Sequence, residues 1–250
     1  MIPCVLISEQ RTGSNLLLGQ LSQHPDITNF SEIFNPKQVS AIPHALSREE
    51  YMALKARNPT KLLHDHIFPA SEINGKPPIH IFKLQYHNIK SANGKRIMEL
   101  LTPLSEDLQV IHLIRRNAFE RYVSKLNAEK TSKYFVSKGR EQPRPPDPYP
   151  VARGEARRAM RHYLDDVNMI KKMVRGWPHR LTVRYEELVA QRIKTINQIF
   201  EFLSLEPIRP EVRSQKQSIP ARFQVRNYEK LREHFRETRF GRFFEDGPGY

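Results

Sequence analysis

The opening of the chain constrains the fold more than any other feature. Residues 3–8, "PCVLIS", form a short apolar run, the pattern of a strand buried on both faces. Polar "EQRTGSN" follows over 9–15, and Gly13 is the only glycine in the first 18 residues. "NLLLGQLSQH" over 15–24 then sets Leu16, Leu17, Leu18 and Leu21 on one broad helical face. Strand, tight polar loop and helix in that order point to a sheet layered by helices.

Later segments repeat the alternation. The pattern predicts a short strand and turn over 25–34 and a helix over 47–57, where Ser47 and Glu50 form a capping box. It predicts a strand over 77–86, a helix over 94–104 ended near Pro103, and a strand over 107–116. A helix capped by Asn117 follows over 117–131, and a long amphipathic helix over 154–177. A strand opens 179–188, with helices over 192–205 and 225–238. The order is that of an α/β protein: three layers, with a mostly parallel central sheet flanked by helices. One domain over 1–250 accommodates it. Residues 137–152 carry five prolines, so they form a loop, either a lid or acceptor-binding loop or a plain surface linker.

The first loop suits an anion. A strand–loop–helix junction presents backbone N–H groups at the positive end of a helix. Gly13 permits a tight turn, Thr12, Ser14 and Asn15 offer side-chain donors, and Arg11 adds a planar cationic fork. The competing reading is an ordinary turn capped by Ser14 or Asn15. No GxxxxGK[ST] string is present, which disfavours a P-loop kinase.

Charge narrows the partner. The chain carries 41 Lys and Arg against 27 Asp and Glu, a net +14. Residues 111–180 hold 17 basic and 7 acidic side chains, whereas residues 1–110 hold 11 and 10. A polyanionic partner is one implication: nucleic acid, an anionic membrane surface or a phosphate-rich ligand. No helix-turn-helix, aromatic RNA-recognition string or zinc finger is evident, so nucleic acid is not expected. No apolar run reaches the ~20 residues of a membrane helix. A lone cysteine, Cys4, excludes an internal disulfide and a multi-cysteine metal site. His64 and His66 in "HDH" lack a third placed ligand, so no metal is expected. The start shows no basic n-region and no long apolar stretch, and a cytoplasmic location is the default expectation.

The basic excess begins at "VIHLIRRNAFERYVSK". Arg116 falls at a strand end and Ser124 eight residues later, two turns into a helix. If this strand neighbours the first, both side chains can reach one anion at the C-terminal sheet edge. The competing reading is a solvated strand end and a helix-face serine.

Together, "QRTGSNLL" and the Arg116–Ser124 pair resemble the sulfotransferases that use 3'-phosphoadenosine-5'-phosphosulfate (PAPS). "LTVRYEELV…INQIFEFLSLEP" and the tail "QKQS…NYEKLREHFRETRFGRFFED" are similar to the bacterial carbohydrate-type, Stf-zero-like branch. The resemblance implies a P-loop-like sulfotransferase fold, PAPS as donor and no metal. It implies that Arg11, Thr12, Gly13, Ser14 and Asn15 bind the 5'-phosphosulfate, that Arg116 and Ser124 bind the 3'-phosphate, and that Gln217 borders the nucleotide. The acceptor would be a hydroxyl of a carbohydrate, glycolipid or small metabolite, with contact to a membrane surface an open option. The general base would be Glu32 in "NFSEIFNP", with His87 in "FKLQYH" as the alternative, and Lys83 would interact with the sulfonate. Arg11 stands where many cytosolic members have lysine, and the Lys-x-His strand end and the C-terminal Arg-Lys-Gly string of that branch are not reproduced.

Overall fold

The computed structural model describes residues 1–35, 41–43, 45–69, 77–91, 94–132, 146–211 and 219–245. Five strands carry the centre: β1 (Ile2–Ser8), β2 (Ile27–Asn29), β3 (Ile79–Gln85), β4 (Gln109–Ile114) and β5 (Arg180–Arg184). The helices are α1 (Ser14–Leu21), α2 (Arg48–Arg57), α3 (Pro59–Lys61), α4 (Tyr86–Lys90), α5 (Gly94–Leu101), α6 (Ala118–Thr131), α7 (Arg153–Met173), α8 (Tyr185–Ala190), α9 (Arg192–Phe202), α10 (Ala221–Gln224) and α11 (Tyr228–Phe235). The sheet order is β2-β3-β1-β4-β5, and every described pairing is parallel. Parallel strands need crossovers, and the intervening helices supply them.

Side-chain alternation on the strands builds the layers. Val5, Ile7, Phe82 and Leu84 face a core shared with Phe119 and Val123 of α6 and with Met160, Tyr163 and Val167 of α7. Cys4, Leu6, Ile111 and Leu113 face the opposite core, shared with Leu17 and Leu21 of α1 and Ile196, Ile199 and Phe200 of α9. β1 is therefore buried on both faces, each large aliphatic side chain contributing ~1.5–3 kcal/mol. Cys4 is fully buried, and desolvation pushes its thiol pKa far up, so it packs as an apolar group. Burial likewise pulls His112 down to about 4, and its Nε2 lies 2.6 Å from the Tyr86 hydroxyl inside the first core.

Several sequence-based boundaries shift: the helix expected over 154–177 ends at Met173, and the one expected over 225–238 runs over Tyr228–Phe235. The helix expected over 94–104 ends at Leu101 and tightens into a 3₁₀ turn, Thr102–Leu104, because Pro103 cannot continue it. The segment opened by a strand at 179 leaves the sheet at Arg184, where Glu186 and Glu187 favour the first turn of α8. Several short features escaped the periodic pattern, among them α3 with the π-turn Leu62–Ile67 that follows it, α4, α8, α10 and the 3₁₀ turn Gly241–Phe243. His64 is exposed on that π-turn. Of the proline-rich loop, 146–152 is described and 137–145 lies outside the described residues. Tyr149 there is bridged to Val225, and its hydroxyl reaches the Asn127 side chain at 2.8 Å. No described helix is long and apolar enough to cross a membrane.

The register sets the site. Ser8 pairs with both Gln85 and Leu113, so β1, β3 and β4 finish nearly level. The chain passes from β1 to the β2–β3 side and then to the β4–β5 side, which makes β1 the switch point where open α/β sheets bind ligands.

Candidate active site

The loop after β1 turns in left-handed conformations, with φ of 67° at Arg11 and 91° at Gly13. Gly13 precedes α1 without a side-chain cap, so the amides of the helix's first turn face the crevice uncapped. A Cβ on Gly13 would lie 2.6 Å from the Tyr185 ring, and this contact requires the glycine as much as its φ does. Thr12 is fully buried, and its hydroxyl donates to the Glu9 carbonyl at 2.7 Å, closing the turn. Thr12 thus shapes the loop from inside.

Two buried guanidinium groups hold the same loop from beneath. Arg115 donates to the Arg11 carbonyl at 3.4 Å, and Arg121 donates to the Gln10 carbonyl at 3.2 Å. Arg115 also lies 4.6 Å over the Tyr185 ring and 3.6 Å from the Glu120 carboxylate. Tying carbonyls down on the protein side turns the loop's amide edge toward the crevice, the arrangement an anion needs.

The two basic motifs meet here. Arg11 Nε donates to Ser124 Oγ at 3.1 Å, across 113 residues of sequence. Ser124 is buried on α6. Arg116 occupies the turn between β4 and α6, where Glu186 of α8 accepts its backbone N–H at 3.0 Å and that of Asn117 at 3.2 Å. Its side chain is exposed, and it has no side-chain partner among the described residues. Gln217 lies outside the described residues.

On the other side of the loop, Glu32 is held by three donors. Lys83 Nζ stands 2.6 Å from Oε1, Gln85 Nε2 donates to Oε1 at 2.8 Å, and Asn35 Nδ2 donates to Oε2 at 2.7 Å. Lys83 also donates to Asn15 Oδ1 at 2.7 Å, joining the pair to α1. Local geometry explains the placement. The Asn29 side chain accepts the Ser31 N–H, Ser31 adopts φ 57°, and Lys83 N donates to the Ser31 carbonyl at 2.7 Å. The chain thereby turns off β2 with Glu32 aimed at β3. Burial alone would raise the Glu32 pKa, but the Lys83 charge and the hydrogen bonds of Lys83, Asn35 and Gln85 outweigh it and lower the value. Glu32 is therefore ionised at neutral pH.

A cavity of about 1090 Å³ opens beside this group, and Arg11, Ser14, Asn15, Glu32, Lys83 and Gln85 all reach its wall. His87 borders the same cavity but sits on α4, after the strand has ended at Gln85, and it is exposed. The structure brings together Arg11, Ser124, Asn15, Lys83 and Glu32, and it gives His87 no contact with the carboxylate. Sequence reasoning missed Gln85, Asn35, Arg115, Arg121 and Tyr185. Gln85 had a usable signal, because positions i and i+2 share a strand face and Lys83 marks that face. Asn35 and Tyr185 had none, since only tertiary packing carries them to the loop.

The sulfotransferase domain model matches residues 2–249. The solved sulfotransferase from Alicyclobacillus acidocaldarius superposes with a TM-score of 0.52 at 14% identity, covering 94% of this chain and 91% of that one. The sulfotransferase domain from the curacin biosynthetic pathway gives 0.52 at 15% identity, covering 100% and 94%. No curated protein sequence matches. The order of strands and helices is thus the P-loop-like sulfotransferase fold, and the chain belongs to the sulfotransferase domain family, whose chemistry is sulfuryl transfer.

Proposed function

We propose that the protein transfers the sulfuryl group of PAPS to a hydroxyl of a carbohydrate, glycolipid or small metabolite, in the manner of the bacterial carbohydrate-type branch. The observation that carries the donor assignment is the Arg11–Ser124 hydrogen bond at 3.1 Å, which joins the two phosphate motifs at one sheet edge. In this reading the amides of 12–15, with Arg11 and the Ser14 and Asn15 side chains, receive the 5'-phosphosulfate. Arg116 and Ser124 receive the 3'-phosphate, which distinguishes PAPS from a simple 5'-nucleotide. Gln217 borders the nucleotide.

The acceptor hydroxyl attacks sulfur in line, an O–S bond forms, and the S–O bond to the 5'-phosphate breaks. The electron pair leaves on the phosphate, where Arg11 and the helix-end amides stabilise it. The hydroxyl proton passes to Glu32. A carboxylate offers about four lone-pair sites. Lys83 and Gln85 occupy Oε1 and Asn35 occupies one side of Oε2, so the remaining site on Oε2 is the one that accepts the proton. Lys83, bridging Glu32 and Asn15, is placed to steady charge on the equatorial sulfonate oxygens. His87 is the weaker base candidate because Glu32 already sits against Lys83 and α1.

The test is a sulfate-transfer screen from PAPS across hydroxylated acceptors, read by mass spectrometry. A mass gain of one sulfate on an acceptor supports the reading, and no transfer to any hydroxyl class, with PAPS intact, overturns it.

A further inference from the structure

Side chains, rather than the sheet, hold the strand end that carries Arg115 and Arg116. The ladder from β4 to β1 reaches Leu113, and the ladder to β5 reaches Ile114. Beyond it the Arg115 N–H donates to the Tyr163 hydroxyl at 2.7 Å, and the same hydroxyl donates to the Arg115 carbonyl at 3.0 Å. Glu186 accepts the next two amides, those of Arg116 and Asn117. In extended backbone the N–H and C=O of one residue point to the same side, and a phenolic hydroxyl is both donor and acceptor. One oxygen from α7 thus stands in for a neighbouring strand at Arg115.

The tyrosine itself is fixed. It is 2% exposed, its ring stacks against Tyr86 at 6.5 Å, and the Arg121 guanidinium lies 4.5 Å from its centre. Burial pushes its pKa up, so the hydroxyl keeps the proton it donates. The two arginines of this strand end depend on it unequally. Arg115 has anchors of its own in the Arg11 carbonyl, the Glu120 carboxylate and the Tyr185 ring. The exposed Arg116 side chain has no side-chain partner among the described residues, so the peptide on which it stands sets its direction.

Resting on the sulfuryl-transfer reading, we propose that Tyr163 is a positioning residue for the 3'-phosphate of the donor: its hydroxyl fixes the Arg115 peptide and thereby aims Arg116 at that phosphate. Tyr163 acts through the backbone, without touching the ligand. When its hydroxyl is removed, a buried N–H and a buried C=O lose their partner. The strand end then moves to find others, and Arg116 meets the phosphate from more than one direction. The loss falls on the 3'-phosphate and spares the 5' end.

The experiment compares Tyr163→Phe with the parent. 3'-Phosphoadenosine-5'-phosphate (PAP) and AMP, which lacks the 3'-phosphate, are titrated by calorimetry into each full chain. The expected result is PAP binding weakened about tenfold, with AMP binding within about twofold of the parent. In an Arg116→Ala background the same substitution should change PAP affinity by less than about twofold, because the side chain it aims is gone. Tyr86→Phe is the control. It removes another buried hydroxyl of the same core, one that contacts His112 rather than the strand end, and it should leave the PAP-to-AMP ratio unchanged. Hydrogen exchange by NMR gives a reading that needs no ligand. Tyr163→Phe should speed exchange of the Arg116 amide, which is bonded to Glu186, about tenfold relative to the amides of β1. Equal loss of PAP and AMP, an unchanged PAP affinity, an undiminished effect in the Arg116→Ala background, or the same ratio change in Tyr86→Phe overturns the inference. A parent that binds no PAP, or binds it no better than AMP, overturns the PAPS reading instead. The exchange of the Arg116 amide then still decides whether the Tyr163 hydroxyl holds the strand end, and an unchanged rate overturns that as well.

Discussion

Replacing Glu32 by Gln changes the site by one charge and almost no volume. The carboxylate accepts from Lys83, Gln85 and Asn35. A glutamine has one acceptor oxygen, so at best it keeps Lys83 and Gln85 and turns its own NH₂ toward the Asn35 NH₂. Lys83 is 4% exposed and would retain Asn15 Oδ1 without its anion. Breaking a buried ion pair by removing one partner costs ~3–5 kcal/mol, and the hydrogen bond that glutamine retains places this variant at the low end, about 3 kcal/mol. The catalytic loss is separate: a general base contributes roughly 10²–10⁴-fold. Stability is read by urea unfolding, and kcat from single-acceptor transfer rates on protein shown to be folded. The expected outcome is a kcat reduced by about two orders of magnitude or more, with PAP affinity within a few-fold of the parent. The pH profile adds a second reading. Glu32 has a lowered pKa in the folded protein, so the parent holds its activity through neutral and weakly acid pH and loses it only as pH falls through that lowered value. The ion pair's stability contribution is likewise present above the unfolded carboxylate pKa and lost on the same descent. A folded Glu32→Gln variant that keeps kcat within threefold of the parent and keeps the acid limb refutes Glu32 as the base.

Gly13→Ala places a methyl carbon where the Tyr185 ring stands 2.6 Å away, at φ 91°, so urea unfolding should show a loss of ~2–4 kcal/mol and calorimetry a matching collapse of PAP affinity. Arg121→Met keeps the buried volume but releases the Gln10 carbonyl, and PAP affinity is expected to fall about tenfold, with Arg121→Lys recovering part of it; an unchanged affinity in Arg121→Met would show that the loop needs no such clamp. Arg116→Ala should weaken PAP about a hundredfold while leaving adenosine 5'-phosphosulfate, which lacks the 3'-phosphate, unaffected; equal losses for both ligands would remove Arg116 from the 3'-phosphate site.

Much of this architecture was legible because it follows from local pattern. The apolar run at residues 3–8, the polar loop and the leucine face give β1 and α1 directly, and the Asn117 cap gives the start of α6, its side chain accepting the Glu120 N–H at 2.9 Å. The pairing of Arg11 with Ser124 was also within reach, since two strand-end motifs on neighbouring strands must converge at one edge. Other parts were set by packing between distant segments. Of the doublet Arg115–Arg116, the second arginine drew attention for its spacing to Ser124, yet the first is the one buried under the loop, against Tyr185 and Glu120. Strand register decides which of two adjacent arginines points inward, and composition carries no trace of it. His87 stood as the alternative base just past the strand expected over 77–86, but β3 ends at Gln85, whose backbone N–H donates to Asn88 Oδ1 at the start of α4 while its side-chain amide reaches Glu32. Asn35 reaches the same carboxylate through the turn after β2, whose left-handed Ser31 no periodic pattern announces. The surplus of positive charge, which first suggested any polyanion, is concentrated in residues 111–180, and two of its members, Arg115 and Arg121, are buried beneath the loop after β1.

The central claim is that the crevice above β1 recognises a nucleotide by phosphates at both ends of its ribose. Calorimetric titration with PAP and with AMP, side by side under the same salt, tests it most directly. PAP should bind at least a hundredfold more tightly than AMP, an increment of about 2.7 kcal/mol assigned to the 3'-phosphate at Arg116 and Ser124. Equal binding of the two, or no binding of PAP, would contradict it.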